Sequence, residues 1–370
     1  MLTNYHFIDT QIIPGRVKQM IIYKSFHNID VGSGLLIRKE MPDDFNTFVN
    51  EYIRFATQND SIKLYTIPDS NTTVVNCIDR IVNITLSSDA LTEEQEGELD
   101  SYSHSIANKL LREEQQAQER IAATGKQIKK GSLIQAFIKN DADEYMYIIA
   151  KVEHSEWYDG ESLQKNFGFP SEKKNVWKSA VFPLFIDEEV TFDTVRVYTD
   201  NDAKYWAIQF LELTAERSDQ TNTSAAFNAI EMELKRKVKK HSERDYYNLR
   251  NTLIHTMKTP QQVNYPEFVN TLVGAYQPDE PALNMAQLQT ALLELPEKKN
   301  FDRQFNTVPD AIKKRRRLKF PITTGIELSI SEDTENYRDS ITANTDEYGA
   351  RYLQIACREN STYELFRERN

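Results

Sequence analysis

Residues 132–152 read SLIQAFIKNDADEYMYIIAKV, which is two apolar runs on either side of a polar turn. Aromatic and β-branched residues are common in both runs, and the Asn and Asp residues at 140–143 favour a tight turn. The stretch therefore predicts a β-hairpin. Further strands are predicted at residues 180–186, 194–198 and 205–213. Four or more strands that follow one another in this way indicate an antiparallel sheet.

A second, shorter hairpin is predicted near the beginning of the chain. Apolar runs at residues 20–23 and 35–37 flank the turn-forming residues Gly32 and Gly34. Two helices are predicted from the spacing of apolar residues and from composition, over residues 43–56 and 92–124. The sheet and these helices together form a predicted N-terminal α+β domain over residues 1–220.

The polar segment 217–224 is interpreted as the boundary to a second domain, residues 221–370. Beyond it, apolar residues recur at helical spacing and predict an amphipathic helix over residues 225–241. That stripe consists of Phe227, Ile230, Leu234 and Val238. Further helices are predicted over residues 246–257 and after Asn284, which is placed to cap the helix with Gln287 three residues later.

The last seventy residues are predicted to return to strands. Thr307 is placed to cap a short helix that runs to residue 317. From residue 318 to 330 nearly all the even positions are apolar, which is the period of a strand buried on one face. Two more strands, over residues 337–342 and 350–358, would complete a small C-terminal sheet. The predicted fold class is therefore α+β, with a helical region and a small sheet after the antiparallel sheet.

Composition favours a folded protein of the cytoplasm. The 370 residues include 11% aromatic and 27% charged residues, as in globular proteins. Cys77 and Cys357 are the two cysteines, and their separation excludes a zinc or redox motif. Neither a leader sequence nor a membrane-spanning apolar run is recognised. The formal net charge of −11 opposes binding to nucleic acid unless positive charge is locally concentrated.

Positive charge is concentrated in two segments, of which the first lies on the predicted amphipathic helix. Its candidate phosphate-binding residues are Lys235, Arg236, Lys237, Lys239, Lys240 and Arg244. On a helix these cations fall outside the apolar stripe, so the helix can dock while its charges face phosphates. The alternative is an ordinary solvated helix face, with Glu231 and Glu233 as ion-pair partners.

The second segment is denser. Its candidate residues are Lys313, Lys314, Arg315, Arg316, Arg317 and Lys319. Like charges at this density repel one another unless an anion is close, which favours a phosphate partner. The alternative is pairing within the chain, with the acidic residues Glu332, Asp333 and Glu335.

Catalytic patterns are nearly absent from the sequence. The chain contains no paired histidines on a helix with an adjacent glutamate, no Walker or dinucleotide loop and no nucleophile elbow. No metal site and no cofactor are therefore inferred, and the protein is predicted not to be an enzyme. One remote alternative is a metal-dependent nuclease built from Asp141, Glu144 and Lys151.

The three tryptophans could stack on bases, although packing in the core is the commoner role: Trp157, Trp177 and Trp206.

The order of several segments resembles a known family. These segments are the strand at residues 143–152, the region 192–213 with its Tyr-Trp-Ala-Ile run, the Phe-x-x-Ile pattern from Phe227, and a C-terminal pattern from Phe301 to Ala356. They resemble the bacterial nucleoid-associated proteins of the NdpA or YejK type, over most of the chain from about residue 100. The resemblance implies a DNA-binding protein of the nucleoid that acts with partners such as topoisomerases, and it supplies no catalytic residues.

The sequence therefore predicts sequence-tolerant binding of DNA, in duplex form, through the two basic segments. A homodimer would bring more of these charges onto one surface. The second hypothesis is a protein-interaction subunit, such as a topoisomerase-binding adaptor or a component of a phage-defence complex. The two hypotheses differ in whether the purified chain binds DNA by itself.

Overall fold

The structure, a computed structural model, describes most of the chain. The described residues are 19–42, 45–69, 71–88, 90–125, 127–158, 165–168, 176–200, 203–312, 318–331 and 337–367. Its strands are β1 (Gln19–Asp30), β2 (Leu35–Arg38), β3 (Lys63–Thr66), β4 (Gly131–Asn140), β5 (Tyr145–Glu153), β6 (Ser155–Tyr158), β7 (Lys165–Gly168), β8 (Val176–Ile186), β9 (Val190–Phe192), β10 (Val195–Thr199), β11 (Thr214–Ala215), β12 (Gln262–Asn264), β13 (Gln304–Asn306), β14 (Leu318–Thr323), β15 (Ile326–Ile330), β16 (Ile341–Thr345) and β17 (Arg351–Ile355). Its α-helices are α1 (Asn46–Gln58), α2 (Thr73–Ser87), α3 (Glu93–Ile121), α4 (Asp219–Leu234), α5 (Glu243–Lys258), α6 (Tyr265–Val269), α7 (Met285–Leu293), α8 (Leu295–Lys299) and α9 (Asn360–Phe366).

The main feature is an antiparallel sheet of nine strands. Its strand order is β11-β3-β10-β8-β5-β4-β1-β2, with β9 paired to β8. The predicted hairpin at residues 132–152 forms its centre as β4 and β5, with Ser132 opposite Val152. At the turn, the Asn140 side chain accepts hydrogen bonds from the main-chain N–H groups of Ala142 and Glu144, at 2.9 Å each. The α+β fold class is therefore confirmed.

Helices cover both faces of this sheet, which explains why β4 and β5 are buried along almost their whole length. On one face α2 and α3 bury Ile78 and Leu110 against Phe137 of β4. On the other face α1 buries Val49 and Ile53 against the opposite side of the same strands. The predicted helices at 43–56 and 92–124 correspond to α1 and α3. The first predicted hairpin is also present, although β1 is longer than expected and extends along β4.

One predicted strand of this sheet is wrong. Residues 205–213 begin with a helical turn that includes a π-helical segment, Trp206–Phe210. Its buried side chains are Trp206, Ala207, Phe210 and Leu211, which is the spacing of one helical face packed on α3. The aromatic-rich sequence has high strand propensity, but burial against α3 favours the helical arrangement.

The second half of the chain has its own apolar core, built from α4 to α8. The predicted stripe of Phe227, Ile230, Leu234 and Val238 is buried in it, which confirms the amphipathic helix. The helix begins as α4 and continues into a π-helical segment at Lys235–Lys239. Asn284 caps α7 as predicted, since its side chain accepts a hydrogen bond from the Gln287 main-chain N–H at 2.9 Å.

The polar segment 217–224 connects the two cores through buried contacts. Asn222 and Thr223 are buried in the first turns of α4, and the Asn222 side chain donates a hydrogen bond to Asp302 at 2.7 Å. Lys63 of β3 pairs with Asp219 at 2.5 Å. These bonds explain the polarity of the segment, while the division into domains at residue 220 stays a prediction.

The C-terminal strands form two separate hairpins. The predicted single strand at 318–330 folds back at Gly325, whose φ of 84° suits the turn, so β14 pairs with β15. The expected buried face is present only away from the turn, where Ile330 is buried, whereas Ile322 and Ile326 beside the turn are 44% and 59% exposed. Within the described chain β16 and β17 pair with each other. β17 lies inside the predicted strand 350–358, whereas the predicted strand 337–342 begins with a 3-10 turn at Tyr337–Asp339 and is replaced by β16.

The helix predicted after Thr307 lies partly outside the described residues. The Thr307 hydroxyl does not cap it, since it accepts a hydrogen bond from Gln261 N–H at 2.9 Å and donates one to the Thr259 carbonyl at 2.6 Å. A single 3-10 turn follows at Pro309–Ala311. Among the described residues, no helix has the length and hydrophobicity required to cross a membrane.

Candidate nucleic-acid interface

The first basic segment follows the C-terminal end of α4, on the side of the helix that faces solvent. Val238 points into the helical core and is buried, while Lys235, Arg236 and Lys240 are exposed. This arrangement follows from the apolar stripe, because the residues between the stripe positions must face outward. The predicted separation of docking face and cationic face is therefore confirmed.

Four of the six cations in this segment have carboxylate partners. Arg236 makes a bidentate contact with Glu233, at 2.6 and 3.0 Å, which raises the pKa of its guanidinium. Lys237 lies 4.0 Å from the same carboxylate. The other two pairs are Lys239 with Glu243 at 3.6 Å and Arg244 with Asp279 at 2.7 Å. Pairing within the chain therefore neutralises much of the positive charge that was predicted to contact phosphates.

Two cations of the segment remain available. Lys235 and Lys240 form no ion pair with another described residue. Both side chains are exposed. Such an exposed lysine can contact a phosphate, and the contact releases counterions into solution.

A groove beside this segment adds cations that sequence reasoning missed. It has a volume of about 400 Å³ and lies between the end of α4 and the helices α7 and α8. Four basic side chains line it, against two acidic ones: Arg236, Lys237, Lys298 and Lys299, with Glu233 and Glu294. Lys298 pairs with Glu294, whereas Lys299 is exposed and forms no ion pair with another described residue. In the sequence, the adjacent residues Lys298 and Lys299 were only a weak indication of this positive charge.

The second basic segment falls largely outside the described residues. This applies to Lys313, Lys314, Arg315, Arg316 and Arg317, to the side chain of Lys319, and to the acidic residues 332–336 proposed as their partners. The described residues on either side lie on the helical core. Ile312 is buried in it, and Phe320 contacts the ring of Tyr247 on α5 at 5.6 Å between centroids. Lys239 of the first segment lies over that same Tyr247 ring at 5.7 Å.

The tryptophans offer no described stacking surface. Trp206 is fully buried and packs on Phe210, so core packing is its role. The side chains of Trp157 and Trp177 lie outside the described residues.

The nuclease constellation is not assembled. Glu144 lies at the turn between β4 and β5, next to Asp141, where it accepts a hydrogen bond from Asn140. Lys151 lies seven residues further along β5, about 24 Å away at the rise of an extended strand. There it is fully buried and pairs with Glu114 of α3. The proposed acid–lysine site is therefore wrong.

Lys151 belongs to a buried charged cluster that the sequence did not indicate. Lys178 is its neighbour on β8, and Tyr205 donates a hydrogen bond to Glu114 at 2.8 Å. Burial and the nearby Lys151 lower the pKa of Lys178, although Asp200, at 3.8 Å, opposes this shift. Burial and Glu114 raise the pKa of Tyr205, so this phenol stays protonated and remains a donor. The cluster holds α3 on the sheet.

Among the described residues, no group of three His, Cys, Asp or Glu side chains is arranged to hold a metal ion. Comparison of the chain with protein-family models, with curated proteins and with solved structures gave no match. The resemblance to the NdpA or YejK type therefore stays a prediction.

Proposed function

We propose that this protein binds duplex DNA without sequence preference, through phosphate contacts made at the groove between α4, α7 and α8. The observation that carries the proposal is the gathering of cations from separate helices at one place. Arg236 and Lys237 come from the end of α4, and Lys298 and Lys299 come from α8. Lys235 and Lys240 are exposed on the same end of the helix and add positive charge to this part of the molecule. A protein bound in this way would be located with the nucleoid.

The chemistry of these side chains supports tolerance of sequence. Lysine ammonium groups contact phosphate oxygens as point charges, and phosphates carry no sequence information. Ion pairs at an exposed surface contribute little energy, typically below about 1 kcal/mol, so a phosphate can replace Glu243, which is 68% exposed, as the partner of Lys239. The basic run at 313–317, which lies outside the described residues, carries five further cations that the sequence predicts to contact phosphates.

Binding to a mixed-sequence duplex across a salt series tests the proposal. The triple variant Lys235→Gln, Lys240→Gln, Lys299→Gln removes the three cations without described ion pairs. Each phosphate contact contributes a slope of roughly −0.9 to the logarithm of affinity against the logarithm of salt concentration. The variant should therefore flatten the slope by roughly 2 to 3. Replacement of residues 313–317 by Gln should flatten it further.

A matched control separates local charge from net charge. The triple variant Lys39→Gln, Lys129→Gln, Lys204→Gln changes the net charge equally, but these residues lie in the sheet half of the molecule. It should keep the wild-type slope. If both triple variants change the slope equally, or neither changes it, the groove is not the interface.

A second candidate function is that of a subunit acting through protein contacts, and a different observation favours it. The residues from 341 to 367 expose large apolar side chains that no part of the described chain covers. A partner captured from a nuclease-treated lysate, together with absence of DNA affinity in the purified chain, would favour this function over DNA binding. Measurable DNA affinity of the purified chain would favour the first.

A further inference from the structure

Exposed apolar residues are concentrated in one part of the molecule, residues 341–367, here named the C-terminal arm. Within the arm, only Ile341 and Asp346 are partly shielded, and every other residue is exposed. Seven of the sixteen exposed large apolar side chains of the described chain lie there: Tyr348, Tyr352, Leu353, Ile355, Tyr363, Leu365 and Phe366. The arm therefore does not pack on the two cores.

The hairpin in the arm has one apolar face. Ile341 lies opposite Ile355, and Ala343 lies opposite Leu353, so these four side chains share one side of β16 and β17. The other side is largely polar, with Thr342, Asn344, Tyr352 and Gln354. A two-stranded hairpin alone in water is marginally stable, and pairing with further strands stabilises it.

The outer edge of β17 is built to accept another strand. The Asp346 N–H donates a hydrogen bond to the Ala350 carbonyl, and the Ala356 N–H donates one to the Ser340 carbonyl. Because antiparallel pairs alternate, the main-chain groups of Leu353 then point away from β16, toward the open edge. Lys and Pro, which often protect exposed edges from pairing, do not occur in β16 or β17, and the one charged side chain of the two strands is Arg351 at the start of β17.

We propose that the C-terminal arm joins two copies of this chain, by antiparallel pairing of β17 with β17 of the second copy about a twofold axis at Leu353. In this register Leu353 lies opposite Leu353 of the second copy, and the two exchange both main-chain hydrogen bonds. The two hairpins become one four-stranded sheet with a continuous apolar face. This inference does not rest on nucleic-acid binding.

The geometry and the symmetry of the open edge support a second copy as the occupant. Pairing about Leu353 brings the Leu353 and Ile355 side chains of both copies, exposed to 44% and 49%, onto one side of the joined sheet. Strand pairing through the main chain is self-complementary about a twofold axis, which is the commonest symmetry of soluble oligomers.

Sedimentation of the full chain without nucleic acid tests the assembly. The wild type should have twice the 43.0 kDa mass of one chain, and the Leu353→Asp variant should have the mass of one. Thr342→Asp adds the same charge on the polar face of β16 and should leave the mass at twice one chain. A wild type with the mass of one chain at every concentration, or a Leu353→Asp variant with the same mass as wild type, overturns the proposal.

Crosslinking tests the register. A Leu353→Cys variant, in a Cys357→Ser background, places two thiols on the axis, where paired Cα atoms are about 5.5 Å apart and suit a disulfide. Mild oxidation should convert it to a covalent dimer. Cys357 in the wild type should not crosslink, since it lies four residues from the axis on each copy, about 27 Å from its equivalent. A dimer in which Leu353→Cys stays reduced overturns the β17 pairing.

Discussion

Gly131 begins β4 at a point where the neighbouring strand leaves no space for a side chain. A Cβ atom there would lie 2.6 Å from the Val152 carbonyl oxygen and 3.1 Å from Cε of Lys151. The first contact is with main chain, which cannot move without displacing β5. Glycine at this position therefore allows the buried Lys151 to reach Glu114.

Gly131→Ala should accordingly destabilise the protein. We expect a loss of about 1–3 kcal/mol in the free energy of unfolding, as for overpacked core positions, measured by urea denaturation. Gly97→Ala is the matched control, because no atom lies within 4 Å of its Cβ position in α3. Alanine favours a helix interior over glycine, so the control should gain up to about 1 kcal/mol. Equal effects at both sites would contradict the steric argument.

His27 is fully buried on β1, and it faces His104 at 5.8 Å between ring centroids. Neither ring nitrogen has a hydrogen-bond partner among the described residues. Burial, together with His104 and Arg38, lowers the pKa of His27 to about 4. The folded protein therefore keeps this ring neutral where the unfolded chain takes up a proton.

The pKa of His27 predicts the direction of acid sensitivity. Because the folded pKa is below the unfolded value of 6.5, stability should fall as the pH falls from about 6.5 to 4, by roughly 3 kcal/mol. Below pH 4 this contribution should stop changing. His27→Gln should reduce that slope in urea denaturation between pH 4 and 7, to which His154 adds in the same direction because burial lowers its pKa as well. The exposed His241→Gln should keep the slope. If His27→Gln leaves the slope unchanged, protonation of other groups causes the loss of stability at acid pH.

At the scale of elements, a buried ion pair links α3 to the sheet, beside the apolar side chains that pack the helix there. Glu114 and Lys151 are both fully buried, and Tyr205 adds a hydrogen bond to the carboxylate. Charges that are buried together are costly to separate, because removal of one leaves the other unpaired in a medium of low polarity.

Lys151→Met should therefore destabilise the protein by about 3–5 kcal/mol in urea denaturation. The double variant Glu114→Gln, Lys151→Met removes both charges and should be less destabilised than the sum of the two single variants. Lys139→Met is the exposed control, because Lys139 pairs with Asp143, whose side chain is 86% exposed. This variant should lose less than about 1 kcal/mol in the free energy of unfolding. Additive single and double effects would show that the two charges do not interact.

At the scale of the whole molecule, charge is distributed unevenly. The net charge of −11 coexists with a positive groove at one end of the helical core. Exposed acidic residues begin α3 in the sheet half, at Glu93, Glu94 and Glu98. Such acids repel a polyanion from a distance, and salt screens the repulsion, since the screening length is about 30 Å at 0.01 M salt and about 10 Å at 0.1 M.

The triple variant Glu93→Gln, Glu94→Gln, Glu98→Gln should consequently bind DNA more tightly at low salt, by about twofold to threefold at 0.01 M. At 0.3 M salt its affinity should equal that of the wild type. Fluorescence anisotropy with a labelled duplex measures both conditions. An increase that persists at high salt would indicate direct contact of this helix with DNA.

Local patterns in the sequence predicted most elements because backbone geometry imposes the periods of helix and strand on neighbouring residues. The β4–β5 hairpin, the α4 stripe and the Asn284 cap were all found in this way. Residues 205–213 were mistaken for a strand because their burial depends on α3, about a hundred residues earlier. The groove was missed for a similar reason, since α4 and α8 are far apart in the chain.

The order of apolar and polar residues was by itself enough for the α+β class, the central hairpin and the two dense basic segments. Tertiary structure alone decided that Arg244 is paired, because Asp279 reaches it from another segment. It also placed Glu114 of α3 beside Lys151 of β5. It also decided that the C-terminal arm stays uncovered, since an apolar pattern specifies a buried face but not the surface that buries it.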